Sequence, residues 1–245
     1  MNNVLNIFLA TIIIFFSSNI FAEGFNDNYF QLGFESSDSS VLEKDLYGQI
    51  ASVERQADGV TKLKIADKIT DIRGSISLGQ NLSLIGSYAT ETGKWTDGCA
   101  CTNFWEKNWD GKSTITSLGI GKNFDINANN LGGMTLSYTQ LTTSLSAAKI
   151  QSDLTSFRVV TQSKWDDISQ EKDFSIFSMG IRTISNFDIE WAAKYNRVSG
   201  KNIKVDHQIE VEATKNIANN FALGTAVTTH RYGDAKMGLF VRASF

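Results

Sequence analysis

The chain has 245 residues, a formal net charge of −3, 19 Gly and no Pro. A near-neutral chain without a basic stripe argues against nucleic acid as a partner. Average usage would supply about a dozen Pro, and because Pro cannot donate to a β-ladder, its absence suits a chain made mostly of paired strands.

In chain order, the first feature is the opening "MNNVLNIFLATIIIFFSSNIFAEG", with an apolar run from Val4 to Phe16, then small and polar residues, then Ile20-Phe21-Ala22 before Glu23. It reads as a secretory signal peptide over residues 1–22, cut after Ala22. The run is shorter than the ~20 residues a membrane helix needs. An uncleaved N-terminal anchor is the alternative, because no Lys or Arg precedes the run. No Cys follows the cut, which excludes a lipoprotein anchor there, and residues 23–245 hold no second long apolar run.

Ten later segments alternate apolar with small, polar or charged residues, as half-buried strands do. "NYFQLGFES" sets Phe30, Leu32 and Phe34 against Gln31, Gly33 and Glu35. "TDIRGSISL" sets Ile72, Ile76 and Leu78 against Asp71, Arg73, Ser75 and Ser77, and the turn Gly79-Gln80-Asn81 leads to "LSLIGSYA". "TSLGIGKNF" and "GGMTLSYTQ" follow, the first with Leu118 and Ile120 opposite Gly119 and Gly121, the second with Met134, Leu136 and Tyr138 opposite Gly133, Thr135 and Ser137. "FSIFSMGIRT" opposes Phe177, Met179 and Ile181 to Ser178, Gly180 and Arg182; "FDIEWAAKYN" opposes Phe187, Ile189, Trp191 and Tyr195 to Asp188, Glu190 and Lys194. "VDHQIEVEAT" places Val205, His207, Ile209 and Val211 against Asp206, Glu210 and Glu212; "FALGTAVTTH" and "KMGLFVRASF" close the series, the last bringing Lys236 and Arg242.

A soluble sandwich would turn the charged parity to water, whereas a membrane barrel would enclose it and require the charges to pair. The expected luminal set is Glu35, Asp71, Asp188, Glu190, Asp206, Glu210 and Glu212 with Arg73, Arg182, Lys194, Lys236 and Arg242, near balance in sign. That parity also carries Gly33, Ser87, Gly119, Gly180, Gly224 and Gly238, which leave room for long side chains in a narrow lumen. Connections are short at 79–81, 124–130, 184–186 and 215–220, and long at about 36–68, 90–113 and 142–173, the asymmetry of outer-membrane barrels. The stretch 36–68 could be an extracellular hairpin around Ala57-Asp58-Gly59 or two further membrane strands.

The last strand, with apolar alternation ending in an aromatic residue, resembles the C-terminal assembly signal of bacterial outer-membrane β-barrel proteins, and the chain resembles a small Gram-negative barrel of the OmpA/OmpX-like type. Gly238, Val241, Ala243 and Phe245 stand in the signal's roles, with the Gly two residues further from the end than usual. The resemblance implies an all-β, closed antiparallel transmembrane barrel of about ten strands, with eight and twelve as alternatives, in the Gram-negative outer membrane. It further implies outer-membrane lipid and the barrel-assembly machinery as partners, and a last strand that pairs with the first.

Candidate chemistry is sparse. Outer-membrane barrel proteases and lipid deacylases use a His with an acid or Ser near the outer rim. Here His207 has lipid-facing parity; His230 has luminal parity at an outer strand end, with Glu35 as a possible neighbour, but no partner can be assigned by spacing. Cys99 and Cys101 are expected to form a local disulfide in an oxidising compartment, and no nearby His or third Cys completes a metal site. Phe104, Trp105 and Trp109 belong to the same loop, either as a contact surface or as an interfacial girdle. The expectation is a monomeric, non-enzymatic barrel with no cofactor, a charged lumen filled by side chains, and long loops available to an extracellular ligand. The alternative is a narrow channel or an outer-membrane hydrolase.

Overall fold

The computed structural model describes residues 25–37, 66–99, 105–126, 130–131, 134–158, 164–185, 187–201, 203–230 and 235–245. The expected signal peptide, most of 36–68, Cys101 and Phe104 lie outside the described residues. The strands are β1 (Tyr29–Ser37), β2 (Ala66–Gly79), β3 (Leu82–Cys99), β4 (Trp105–Ile126), β5 (Asn130–Leu131), β6 (Met134–Arg158), β7 (Lys164–Ser185), β8 (Ile189–Gly200), β9 (Ile203–Ala218), β10 (Phe221–His230) and β11 (Lys236–Ser244). β5 pairs only with the start of β6. The other ten form a closed antiparallel barrel, since β4 pairs with β6 and β1 with β11.

The closing seam matches apolar rows: Phe30 faces Ala243, Leu32 faces Val241 and Phe34 faces Leu239. With every strand paired on both sides, the membrane zone has no free edge. The β2–β3 turn places Gln80 and Asn81 at φ 53° and 58°. Two consecutive positive φ values give the twist that a two-residue hairpin needs.

Outward-facing residues form the apolar belt. Leu118 and Leu239 are 62% and 69% exposed, far too open for a protein core and suited to lipid. Leu84, Ile120, Leu145, Phe177, Met179, Ile209 and Val211 continue the belt. The inward parity is buried and polar, including Gln31, Asp71, Ser83, Glu210, Glu212 and Arg242. Close packing there depends on glycine: a Cβ on Gly33 would collide with the Asp71 carboxylate, and one on Gly224 with the Phe240 ring.

Three expectations need correction. Segments 90–113 and 142–173 are mostly strand rather than long loop, because β3, β4, β6 and β7 run for 18, 22, 25 and 22 residues. Trp105 and Trp109 are therefore strand residues, with Trp109 opposite Trp95. The outer parts of these strands meet no lipid, so they lack the apolar row that betrays a membrane strand while keeping full backbone pairing. Second, an irregularity between Leu136 and Tyr138 shifts the β6 register, so Tyr138, expected in the lipid-facing row of Met134 and Leu136, turns instead to the luminal side, where its ring packs on Phe25 and its hydroxyl accepts from the buried Gln140 Nε2 at 3.1 Å. Third, β8 begins at Ile189, and Asp188 is an exposed turn residue at φ 55°.

Strand lengths divide the molecule. About 9–11 tilted residues cross the hydrocarbon, and β1, β8, β10 and β11 have 9, 12, 10 and 9. The 25 residues of β6 rise roughly 30 Å further. In that projection the polarity is reversed: Lys112, Lys149, Asp153, Glu171 and Asp173 are exposed on the outer face. Ala148, Ile150, Phe174 and Val198 are buried on the inner face, with Ile115 and Ile176 packed against them.

Candidate functional site

The lumen of the membrane zone holds the one dense constellation of charge among the described residues. Arg73 on β2 is its hub: Nε donates to Asp71 Oδ2 at 2.5 Å, Nη1 to Glu210 Oε1 at 2.6 Å and Glu212 Oε1 at 3.2 Å, and Nη2 to Glu35 Oε1 at 3.3 Å. Four carboxylates from β1, β2 and β9 thus converge on one guanidinium. Lys194 on β8 adds contacts to Glu212 Oε2 at 3.3 Å and Glu210 Oε1 at 3.7 Å. Arg242 on β11 reaches Glu190 Oε2 at 3.1 Å, Glu212 Oε2 at 3.5 Å and Gln31 Oε1 at 3.1 Å, and lies 4.8 Å above the Tyr29 ring.

Two smaller clusters flank this hub. Towards the outer end, Lys236 Nζ meets Glu91 Oε1 at 3.3 Å. Towards the rim that carries the short turns and chain end, Arg182 on β7 pairs with Asp27 and donates to Gln140 Oε1 at 2.9 and 2.6 Å. Asp206 is buried but engaged locally, accepting from His207 N at 2.8 Å and Gln208 Nε2 at 2.9 Å. Asp188, in its exposed turn, stands apart from the network.

Alternation misses three members of this constellation. Glu91 continues the row of Ile85, Ser87 and Ala89 and is reachable by extending β3 two residues past Ala89. Gln140 is hidden by the β6 irregularity. Asp27 precedes β1 and belongs to no alternating segment, so no periodic signal marks it.

Between the charged wall and a wall of Ser, Thr and Gly side chains on β3, β4 and β6 lies a cavity of about 360 Å³. Glu35, Asp71, Arg73, Lys194, Glu210 and Glu212 line its charged side. A network of this kind fixes its side chains through mutual ion pairs. His207 faces outward, its Nδ1 2.5 Å from the Tyr195 hydroxyl with the two rings stacked. His230 is the last residue of β10, its backbone opposite Gln208. Cys99 ends β3 opposite Trp105. No group of three or more His, Cys, Asp or Glu suited to a metal ion occurs among the described residues.

The assembly-signal residues lie along the seam. Gly238 faces Glu35, Val241 faces Leu32 and Ala243 faces Phe30. A Cβ on Gly238 would meet Glu35 Cγ at 2.5 Å, so the glycine makes space for a luminal acid. Phe245 is half-buried past the end of β11, and its N–H donates to Asn28 O at 3.1 Å.

No protein-family model and no curated protein sequence matches the chain. Solved structures do. The chain is similar to the translocator domain of the autotransporter NalP from Neisseria meningitidis at 9% identity and TM-score 0.47, covering 100% of this chain and 95% of that one. It is similar to Ail, the attachment invasion locus protein of Yersinia pestis, at 11% identity and TM-score 0.35, covering 89% and 97%. It is also similar to outer membrane phospholipase A from Escherichia coli at 12% identity and TM-score 0.28, covering 90% and 94%. The apolar belt, the enclosed ion pairs, the even strand count and the short turns gathered on one rim describe a bacterial outer-membrane β-barrel.

Proposed function

We propose that the chain is a non-enzymatic surface-interaction barrel: a closed, ion-paired stem in the outer membrane carrying a projecting β-sheet as its contact region. The observation behind this reading is the reversal of polarity along β4, β6 and β7. Inside the belt the outer face is apolar; beyond it the same strands turn charge outward and build a small apolar core inward. A strand pair that only lined a pore would have no need of that second core. On β4, β6 and β7 the exposed outer charges among the described side chains, Asp110, Asp153, Asp167, Glu171 and Asp173 against Lys112 and Lys149, form an acidic strip that favours a basic partner surface, with Lys68, Arg197 and Lys201 exposed beside it on β2 and at the end of β8.

The test replaces residues 93–111 and 151–171 with short turns and displays both forms on cells. The shortened barrel is expected to keep heat-modifiable migration on a gel, which reports the stem, and to lose adhesion to an immobilised basic matrix protein while neither form adheres to albumin. Equal adhesion of the two forms would refute the reading. The luminal cavity supports a second reading, a narrow channel. Interiors of about eight strands are filled by side chains and aqueous channels appear near sixteen, so conductance in a planar bilayer is expected to be far below that of a porin.

A further inference from the structure

The four residues before β1 do not trail from the barrel; they run across its mouth. Phe25 packs on Tyr138 with ring centroids 5.3 Å apart, and the Arg182 guanidinium lies 4.1 Å over the Phe25 ring. Asp27 pairs with Arg182 and accepts from Asn123 Nδ2 at 2.9 Å. Asn28 ties the near side, its Oδ1 accepting from Ser77 N at 2.8 Å and its carbonyl from Phe245 N at 3.1 Å. Going round the barrel, β7 is five strands from β1 in either direction. The contacts of Phe25 and Asp27 are therefore with the wall opposite the strand they lead into, and Asp27 lines the luminal cavity.

The geometry points to residues 25–28 as a built-in stopper that seals the lumen on its periplasmic side. Its seat is specific: Arg182 presents a guanidinium held by Gln140, so that its edge donates to the Asp27 carboxylate while its face covers the Phe25 ring. Asn123 completes the carboxylate's partners, and Tyr138, itself bonded to Asp125, supplies the aromatic floor. A segment with no role at the mouth would spend neither an acid nor an aromatic on the far wall. The stopper lies in series with the luminal cavity, so any solute path through the stem requires its release. It is independent of the projecting sheet.

The test uses the full chain with Cys99→Ser and Cys101→Ser, and with Ser178→Cys as a reporter on the cavity wall. The protein is reconstituted in vesicles, and a charged, membrane-impermeant thiol reagent is added. Slow labelling is expected, rising at least tenfold when Phe25→Ala and Asp27→Asn are introduced. The seat variant Tyr138→Leu, which leaves the stopper's own residues intact, is expected to accelerate labelling in the same direction. Heat-modifiable migration confirms that each variant is folded. Equal rates in the parent and both variants would overturn the stopper.

Discussion

The stem and the projecting sheet are the same strands in two solvents. In β7, Phe177 and Met179 meet lipid while Gly180 and Arg182 face the lumen; a few residues further out, Asp173 and Glu171 meet water while Phe174 packs inward. Pairing continues without a break from Tyr138–Ile184 to Thr155–Asp167. The backbone is thus indifferent to the membrane boundary, and only the identity of the outward residues records it. The stem is held by closure, lipid and buried ion pairs; the projection by a conventional apolar core of a few side chains.

Ion pairs should separate the two regions most widely. Arg73→Leu leaves Glu35, Asp71, Glu210 and Glu212 facing one another in the lumen. Removing one partner from a buried charge network costs about 3–5 kcal/mol, read as a lowered midpoint of urea unfolding in lipid vesicles. Glu171→Gln removes the exposed partner of Lys149, and a solvent-screened pair of this kind is expected to leave the midpoint almost unchanged. Similar losses for both variants would mean that the luminal charges are as solvated as the surface ones.

The next contrast concerns arginine on the outer face. Ile120 lies between Leu84 and Leu145 in the belt, where an arginine costs roughly 2–4 kcal/mol near the midplane. Gln151 is exposed on the outer face of β6 in the projection, where a surface substitution stays within about 0.5 kcal/mol. Unfolding midpoints of Ile120→Arg and Gln151→Arg check the boundary directly. A large penalty at Gln151 would move the lipid edge outward and shorten the projection.

The difference between the regions also explains which parts of the fold were legible. Period-2 alternation is sharp where lipid demands an apolar residue at every second position, as in Phe221, Leu223, Thr225 and Val227, and it located all ten barrel strands. It faded over Ser152 to Arg158 and Lys164 to Lys172, where both faces carry polar residues and pairing is set by the neighbouring strand. Within the lumen, parity was enough to assemble Arg73 with its carboxylates, although barrel closure had to bring β2 and β9, separated by β1, β11 and β10 on one side and by five strands on the other, to one cluster. Local irregularity defeated parity at Gln140, and Asp27 lies on a segment with no period to read.

The core of the projection is small enough for a single methylene to register. Ile150 is 3% exposed and packs with Ala148, Phe174 and Val198. Ile150→Val is expected to cost about 0.5–1.5 kcal/mol, and the loss should appear as faster proteolysis of the outer strands while the stem keeps its heat-modifiable migration. Coupled loss of both would show that projection and stem unfold as one unit.

At the chain end the stem can be divided from its own biogenesis. Phe245 extends the outward row of Met237, Leu239, Val241 and Ala243, but it is only half-buried and its tie to Asn28 is made by the backbone N–H. Phe245→Ser keeps that hydrogen bond and removes part of one aromatic side chain's burial, about 1 kcal/mol. Refolding in detergent should therefore be nearly normal, and Val241→Ser, deeper in the seam opposite Leu32, should impair it at least as much. If the terminal aromatic is also read during assembly, Phe245→Ser will accumulate poorly in the outer membrane of growing cells while Val241→Ser accumulates according to its stability. Normal accumulation of the Phe245 variant would reduce the residue to one more member of the lipid-facing row.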